Sequence, residues 1–241
     1  MERFFINKEI TGNSLLIEDY KVIHKLISVL RLKRGDQIKI FDTNGKEFLA
    51  ELTEISKKSV GLGINKELEN KSEPDVKLHL YPSLFRKNKF EWMLEKCTEV
   101  GVYSFNPIIS KRSVIEIKQI PERWSKIIIE AAQQSGRVHV PNINNPLSLR
   151  EAMEQAKGEI VIAAEKNFLD TKNIVNFFDS TGYKSLSQFK EISLFIGPEG
   201  GWDTEEAELL NSRQAKFLSF GERILRAETA AIVCSAFCVY K

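Results

Sequence analysis

Phe195-Ile196-Gly197-Pro198-Glu199-Gly200-Gly201 closes an apolar run, Ile192 to Ile196, and leads into Asp203 and Glu206, which have capping-box spacing at a helix start. A continuous apolar run reads as a strand buried on both faces, the kind found in a parallel sheet. In open α/β sheets, ligands bind beyond the carboxyl ends of such strands. The glycines let backbone approach a ligand closely, and Pro198 stiffens the loop. The segment lacks the lysine and spacing of a phosphate loop, and it lacks the Gly-x-Gly-x-x-Gly dinucleotide fingerprint. Its bland alternative is a plain strand-to-helix turn.

Outward from this loop the pattern alternates. Val76–Tyr81, Phe105–Ser110, Glu159–Glu165 and Lys216–Phe220 read as further strands. Lys89–Gly101 reads as a helix with a stripe at Phe90, Met93, Leu94 and Cys97, and Pro121–Gly136 as one with Trp124, Ile127, Ile128 and Ala131. A last helix carries Ala230, Val233, Cys234 and Phe237. Alternating strands and helices predict an α/β domain with a mostly parallel sheet covered on both faces.

The front of the chain differs. Asp19 caps a short helix with Val22, Leu26 and Leu30 at helical spacing. Gln37–Asp42, Glu47–Ile55 and Ser59–Ile64 alternate like strands, the first pair joined at Asn44-Gly45, a hairpin signal. Phe48, Ala50, Leu52 and Ile55 fall mostly on one face. This reads as a small β-barrel-like module with one helix. Glu67–Asp75, polar and containing Pro74, reads as the linker, so the expected domains are 1–72 and 73–241.

Composition sets the remaining bounds. The 241 residues are 42% hydrophobic and 28% charged, ordinary for a globular protein. A net charge of +2, from 35 basic and 33 acidic residues, restricts any nucleic-acid site to a local patch. No apolar run approaches the roughly 20 residues that span a bilayer, and the start lacks a secretory pattern, so a cytoplasmic location is expected. Cys97, Cys234 and Cys238 read as reduced thiols, and no Cys/His spacing suggests a metal. His24 reads as a packing or RNA-contact residue, His79 as structural, and His139, in the loop after Arg137, as either near the site or an ordinary neutral loop histidine.

A second dense stretch, Phe220-Gly-Glu-Arg-Ile-Leu-Arg-Ala-Glu-Thr-Ala230, runs from the final strand into the last helix. Taken alone, Glu228 and Thr229 suit a helix N-terminus in a solvated turn. Paired with the glycine loop, the stretch resembles the SPOUT methyltransferases, and more narrowly the RsmE type of bacterial 16S ribosomal RNA uridine-N3 methyltransferase. Lys96-Cys-Thr-Glu-Val-Gly101, Pro107-Ile-Ile-Ser-Lys-Arg-Ser113 and Glu130-Ala-Ala-Gln-Gln-Ser-Gly-Arg137 resemble further blocks of that family. Arg3-Phe-Phe5, His24, Val29-Leu-Arg-Leu32 and Gly35-Asp36 resemble its PUA-like domain. The resemblance covers nearly the whole chain, in order.

That resemblance implies a parallel sheet ending in a deep trefoil knot, S-adenosylmethionine as methyl donor with no metal, a homodimer through the knot region, and 16S rRNA, within the assembled small subunit, as partner. The donor would lie on Phe195, Ile196, Gly197, Pro198, Glu199, Gly200 and Gly201, and on Phe220, Gly221, Ile224, Leu225, Arg226, Thr229 and Ala230. Methylation of uridine N3 requires loss of its proton. Arg137 and Arg226 are candidates to stabilise the uracil anion, and Glu199 and Glu228 to take the proton. Arg137→Ala is expected to lose activity while keeping donor affinity. Arg3, Arg31 and Arg34, with Lys25 and Lys33, form an RNA-binding candidate set in the first domain; Arg86, Lys87, Lys89, Lys111 and Arg112 form another at the sheet rim. The alternative is a non-catalytic RNA-binding or ribosome-assembly factor, which would need neither C-terminal motif. A nucleotide-dependent oxidoreductase is disfavoured by the missing fingerprint.

Overall fold

The computed structural model describes residues 1–113, 115, 117–163, 174–176, 186, 188–213, 215–220 and 222–240. The chain forms two compact units, Met1–Glu73 with Ala132–Val140, and Pro74–Ala131 with Pro141–Lys241.

The first unit has β1 (Arg3–Phe5), β2 (Ser14–Ile17), α1 (Tyr20–His24) running into a π-helical turn at Lys25–Val29, β3 (Gln37–Phe41), β4 (Glu47–Ile55) and β5 (Val60–Leu68). Its sheet order is β1-β3-β4-β5-β2; β1 lies parallel to β3 and the other pairs are antiparallel. Asp19 caps α1 by accepting from the amides of Lys21 and Val22. Alternate residues of the strands, among them Phe4, Ile38, Ile40, Ala50, Leu52, Val60 and Leu62, make the core with Leu26. The β3–β4 turn works as its sequence suggests: Gly45 takes φ +74°, and buried Asp42 accepts from the amides of Asn44 and Lys46 at 2.9 and 3.0 Å. Two expectations need correction. Ile55 is 39% exposed although it pairs with buried Val60, because it ends β4 beside the exposed residues Ser56–Lys58. β5 runs on to Leu68, past the expected strand end at Ile64 and into the expected linker.

The second unit has β6 (Lys77–Pro82), α2 (Lys87–Val100), β7 (Ser104–Phe105), β8 (Ile108–Ile109), α3 (Glu122–Ser135, its last turn assigned to the first unit), β9 (Asn142–Ile143), β10 (Leu147–Ser148), α4 (Leu149–Gln155), β11 (Glu159–Ala163), β12 (Ile174–Asn176), β13 (Glu191–Ile196), α5 (Thr204–Asn211), β14 (Lys216–Ser219) and α6 (Ala227–Val239). Seven strands pair in the order β12-β14-β11-β13-β6-β7-β9, every pairing parallel. The alternating βα pattern demanded this arrangement, because parallel strands need crossover connections. Leu78, Leu80, Val161, Ile162, Leu194 and Phe195 are fully buried, as are Phe90, Met93, Leu94 and Cys97 of α2. Tyr81 stacks on Phe195 with centroids 4.6 Å apart. α2 ends at Gly101, whose φ of +117° suits glycine.

The expected strand Phe105–Ser110 is two strands. Pro107 lacks a ladder donor, and β8 leaves the main sheet to pair with β10. α4, with a capping box at Ser148 and Glu151, was not read from the sequence. Residues 164 and 165 of the expected strand Glu159–Glu165 lie outside the described residues. In α6 the buried set is Ala227, Glu228, Ala231, Cys234, Ser235, Cys238 and Val239, whereas Ala230, Val233 and Phe237 are half-buried. The helix is apolar on almost every side, so periodicity offered no contrast from which to choose a face. His79 is structural as expected: its ring bridges Ser104 Oγ at 2.7 Å and Glu191 Oε1 at 2.9 Å.

Candidate active site

The glycine loop leaves the carboxyl end of β13. Phe195 and Ile196 are core side chains, so only their backbone can face a ligand. Gly197 and Pro198 are buried, and Glu199 and Gly200 reach solvent. Gly201, at φ +72°, donates its amide to the Pro198 carbonyl at 3.0 Å, a turn that needs glycine. Asp203 and Glu206 form the expected capping box on α5. Arg112 donates to the Gly200 carbonyl at 2.9 Å. The Lys111 amide donates to Glu206 at 2.8 Å, and its ammonium pairs with Glu205 at 2.6 Å and Asp203 at 3.3 Å. The Glu205 hydrogen bond, followed by the Asp203 contacts, raises the Lys111 pKa; the Glu206 amide and then Lys111 lower that of Asp203. Both basic residues after β8 are therefore fastened to the loop and to α5, the same rim of the sheet.

The second stretch comes to this rim from β14. Phe220 is buried, Ile224 stands 77% exposed, Leu225 is half-buried, Arg226 is exposed, and Thr229 and Ala230 are half-buried. Gly221 lies outside the described residues. Lys89, in the first turn of α2, ties the two stretches together. Its Nζ lies 3.0 Å from Glu199 Oε1 and 3.4 Å from Glu228 Oε1. Arg86 adds a longer contact of 3.9 Å to Glu199, and Lys87 points to solvent. Glu228 is 6% exposed, and its Oε2 is buried with no hydrogen-bond partner among the described residues. Sequence reasoning placed Lys89 among the RNA contacts and missed this bridge. A single lysine at a helix start carries no local sign that two distant carboxylates will converge on it.

In the first unit, Arg137 is 2% exposed. Its guanidinium forks onto Glu73 at 2.8 to 3.3 Å, and Glu73 also accepts the amides of Val138 and His139 at 3.0 Å. Burial pushes the Glu73 pKa up, but hydrogen bonds and charge from Arg137, with the two amides, outweigh it and hold the carboxyl below its ordinary value. Arg3 is likewise committed: Nε pairs with Glu47 at 2.7 Å, and its other nitrogens donate to the carbonyls of Ala132, Gln133 and Arg137. The structure thus occupies Arg3 and Arg137 with protein partners, while Arg31, Lys33, Arg34 and Lys25 are exposed. Arg31 takes φ 55°, uncommon for a non-glycine residue. Among the described residues, no group of three or more His, Cys, Asp or Glu could hold a metal.

A family model described as "RNA methyltransferase domain" matches residues 71–239, the span holding every element of the rim. The chain belongs to this RNA methyltransferase family. A second model, "RNA methyltransferase PUA domain", matches residues 21–64. The chain is 30% identical over 245 residues to "Ribosomal RNA small subunit methyltransferase E" of Bacillus subtilis, covering 96% of this chain and 93% of the relative. It is 30% identical over 237 residues to the protein of the same name from Rickettsia conorii, covering 97% and 93%. Among solved structures, ribosomal RNA small subunit methyltransferase E from Neisseria gonorrhoeae, bound to S-adenosyl methionine, superposes with a TM-score of 0.81 at 26% identity over 98% of this chain and 95% of that one. Membership in an RNA methyltransferase family supports the enzyme reading over that of a non-catalytic binder. Among the described residues, no helix is long and apolar enough to cross a membrane.

Proposed function

We propose that this RNA methyltransferase transfers a methyl group from S-adenosylmethionine to N3 of one uridine in 16S rRNA of the small subunit, in the cytoplasm. One observation carries the reading: Lys89 draws the glycine loop and the start of α6 together at the carboxyl rim of the parallel sheet. The rim suits the donor. Glycine backbone at 197–201 can meet its polar edges, and exposed Ile224 offers apolar cover. Bound there, the sulfonium supplies an already activated methyl group, so the transfer requires no metal. A solved relative is bound to S-adenosyl methionine, which supports the choice of donor.

The remaining assignments follow from the same geometry. Arg226, exposed beside the loop, is the better placed of the two arginines to stabilise a uracil anion, because Arg137 would first have to leave Glu73. The exposed Arg31 and Arg34 in the PUA-like unit, with Arg86 and Lys87 at the rim, hold RNA phosphates, so affinity for the small subunit should fall steeply with salt. The position of β14 between β11 and β12 supports a C-terminal segment threaded as in a trefoil knot. The half-buried Ala230, Val233 and Phe237 suit a homodimer contact. The test is calorimetric titration with S-adenosylmethionine, joined to mass mapping of 16S rRNA from cells lacking the gene. Donor binding and one uridine that loses its N3 methyl group until complemented are expected. No donor binding, or an unchanged methylation map, refutes the reading.

A further inference from the structure

Two carboxylates meet Lys89, and their surroundings differ. The Glu199 side chain is 25% exposed and faces two cations, Lys89 at 3.0 Å and Arg86 at 3.9 Å, one at each oxygen. Its charge is matched and partly solvated. The Glu228 side chain is 8% exposed and, among the described residues, pairs with Lys89, through Oε1 at 3.4 Å. Its Oε2 is buried without a hydrogen-bond partner among the described residues. Leaving a buried acceptor unmatched costs about 1–3 kcal/mol, and more for a charged group. Such an atom calls for an explanation, and a catalytic role is one of the recognised ones. Glu228 also sits in the first turn of α6, where the helix N-terminus adds positive potential beside that of Lys89. A carboxyl group is thus held in a buried place beside a cation, with one oxygen unmatched among the described residues.

From this geometry we infer that Glu228 Oε2 accepts the proton of the uridine N3–H, that Lys89 is the residue positioning it, and that Glu199 serves as the anchor tying Lys89 to the glycine loop. The inference rests on the proposed methyl transfer to uridine. As the N3–H bond breaks, the proton passes to Glu228 Oε2. The electron pair left on N3 forms the new bond to the methyl carbon. The carbon–sulfur bond breaks with its pair remaining on sulfur, which becomes a neutral thioether. No oxidant, reductant or further reactant enters.

The test compares Glu228→Gln, Glu228→Asp, Lys89→Met, Lys89→Arg and Glu199→Gln as full-length proteins. Donor affinity is measured by calorimetry with S-adenosylmethionine, and single-turnover transfer of labelled methyl to unmethylated small subunits is measured at saturating donor. Glu228→Gln is expected to keep donor affinity within about threefold while transfer falls at least about a hundredfold, the scale of a lost general base. Glu228→Asp keeps the charge but withdraws the oxygen, and should bind donor while transferring slowly. Lys89→Met should lose about tenfold in rate, and Lys89→Arg should recover most of it. Glu199→Gln should weaken donor binding with little change in rate once donor saturates. Wild-type transfer by Glu228→Gln, or a loss that only follows weaker donor binding, overturns the assignment. An equal rate loss in Glu199→Gln at saturating donor also overturns it. A wild-type protein that binds donor but transfers nothing to uridine refutes the underlying reading instead, and the base with it.

Discussion

Glu73→Gln tests the buried ion pair of the first unit. The wild-type carboxylate takes the Arg137 fork at 2.8 to 3.3 Å and two backbone amides at 3.0 Å. Glutamine keeps the shape but turns an amide group toward the guanidinium and leaves a cation with 3% side-chain exposure without its counter-charge. Breaking a buried pair by removing one partner costs about 3–5 kcal/mol. Glu73 is 28% exposed, so water screens part of the loss and the lower end applies, about 3 kcal/mol. That is a factor of roughly 100 in the folding equilibrium, or a fall in Tm of about 6–12 °C. Urea and thermal unfolding followed by circular dichroism supply the measurement. The double variant Glu73→Leu/Arg137→Met, which removes both charges, should recover about 2 kcal/mol relative to the sum of the single changes. A single-variant loss below about 1 kcal/mol, the range of surface pairs, would refute the buried-pair reasoning, as would strict additivity in the double variant. By the same logic Arg137→Ala should destabilise the first unit, so any loss of activity has to be measured where the variant is still folded.

The other predictions concern acid, one glycine and the thiols. Because the folded Glu73 and Glu47 carboxyls both lie below their ordinary value of 4.5, each contributes stability above about pH 4.5 that is lost as pH falls through its folded value; urea midpoints should drop on that side, less steeply in Glu73→Gln. A midpoint that rises on acidification would contradict the assignment. Gly158→Ala should cost about 3 kcal/mol or more, since Gly158 sits at φ +65° and an added Cβ would run into the Glu191 backbone carbonyl; stability within about 1 kcal/mol of wild type would show that this turn can shift. Burial raises the thiols of Cys97 and Cys238 to about 12 and that of Cys234 well above its ordinary value, so iodoacetamide should label none of the three in the native protein and all of them after unfolding.

The parallel sheet, the caps at Asp19 and Asp203, the Asn44-Gly45 turn and the glycine loop after β13 were legible because each is written locally: period, cap spacing and glycine placement lie within a few residues. β1, β2 and α4 escaped because segments of 3, 4 and 7 residues are too short for periodicity to stand out. The buried face of α6 escaped for the opposite reason, a helix apolar nearly all round. Among the site residues, Glu228 read equally well as a structural cap or salt-bridge acid or as a candidate base, and its depth of burial appeared only in the structure.

By itself, the sequence determined the strand–helix alternation and, through two motifs about twenty residues apart, methyltransferase membership. Tertiary structure decided which charges meet. Lys89, Glu199 and Glu228 lie far apart along the chain and converge on one ammonium only because parallel strands bring their carboxyl ends to a common rim. Arg137 joins the first unit because Glu73, sixty-four residues earlier, is folded against it. Coulombic partners act over a few ångströms of space and leave no period or spacing in the chain, so their pairing appears only once the backbone has closed.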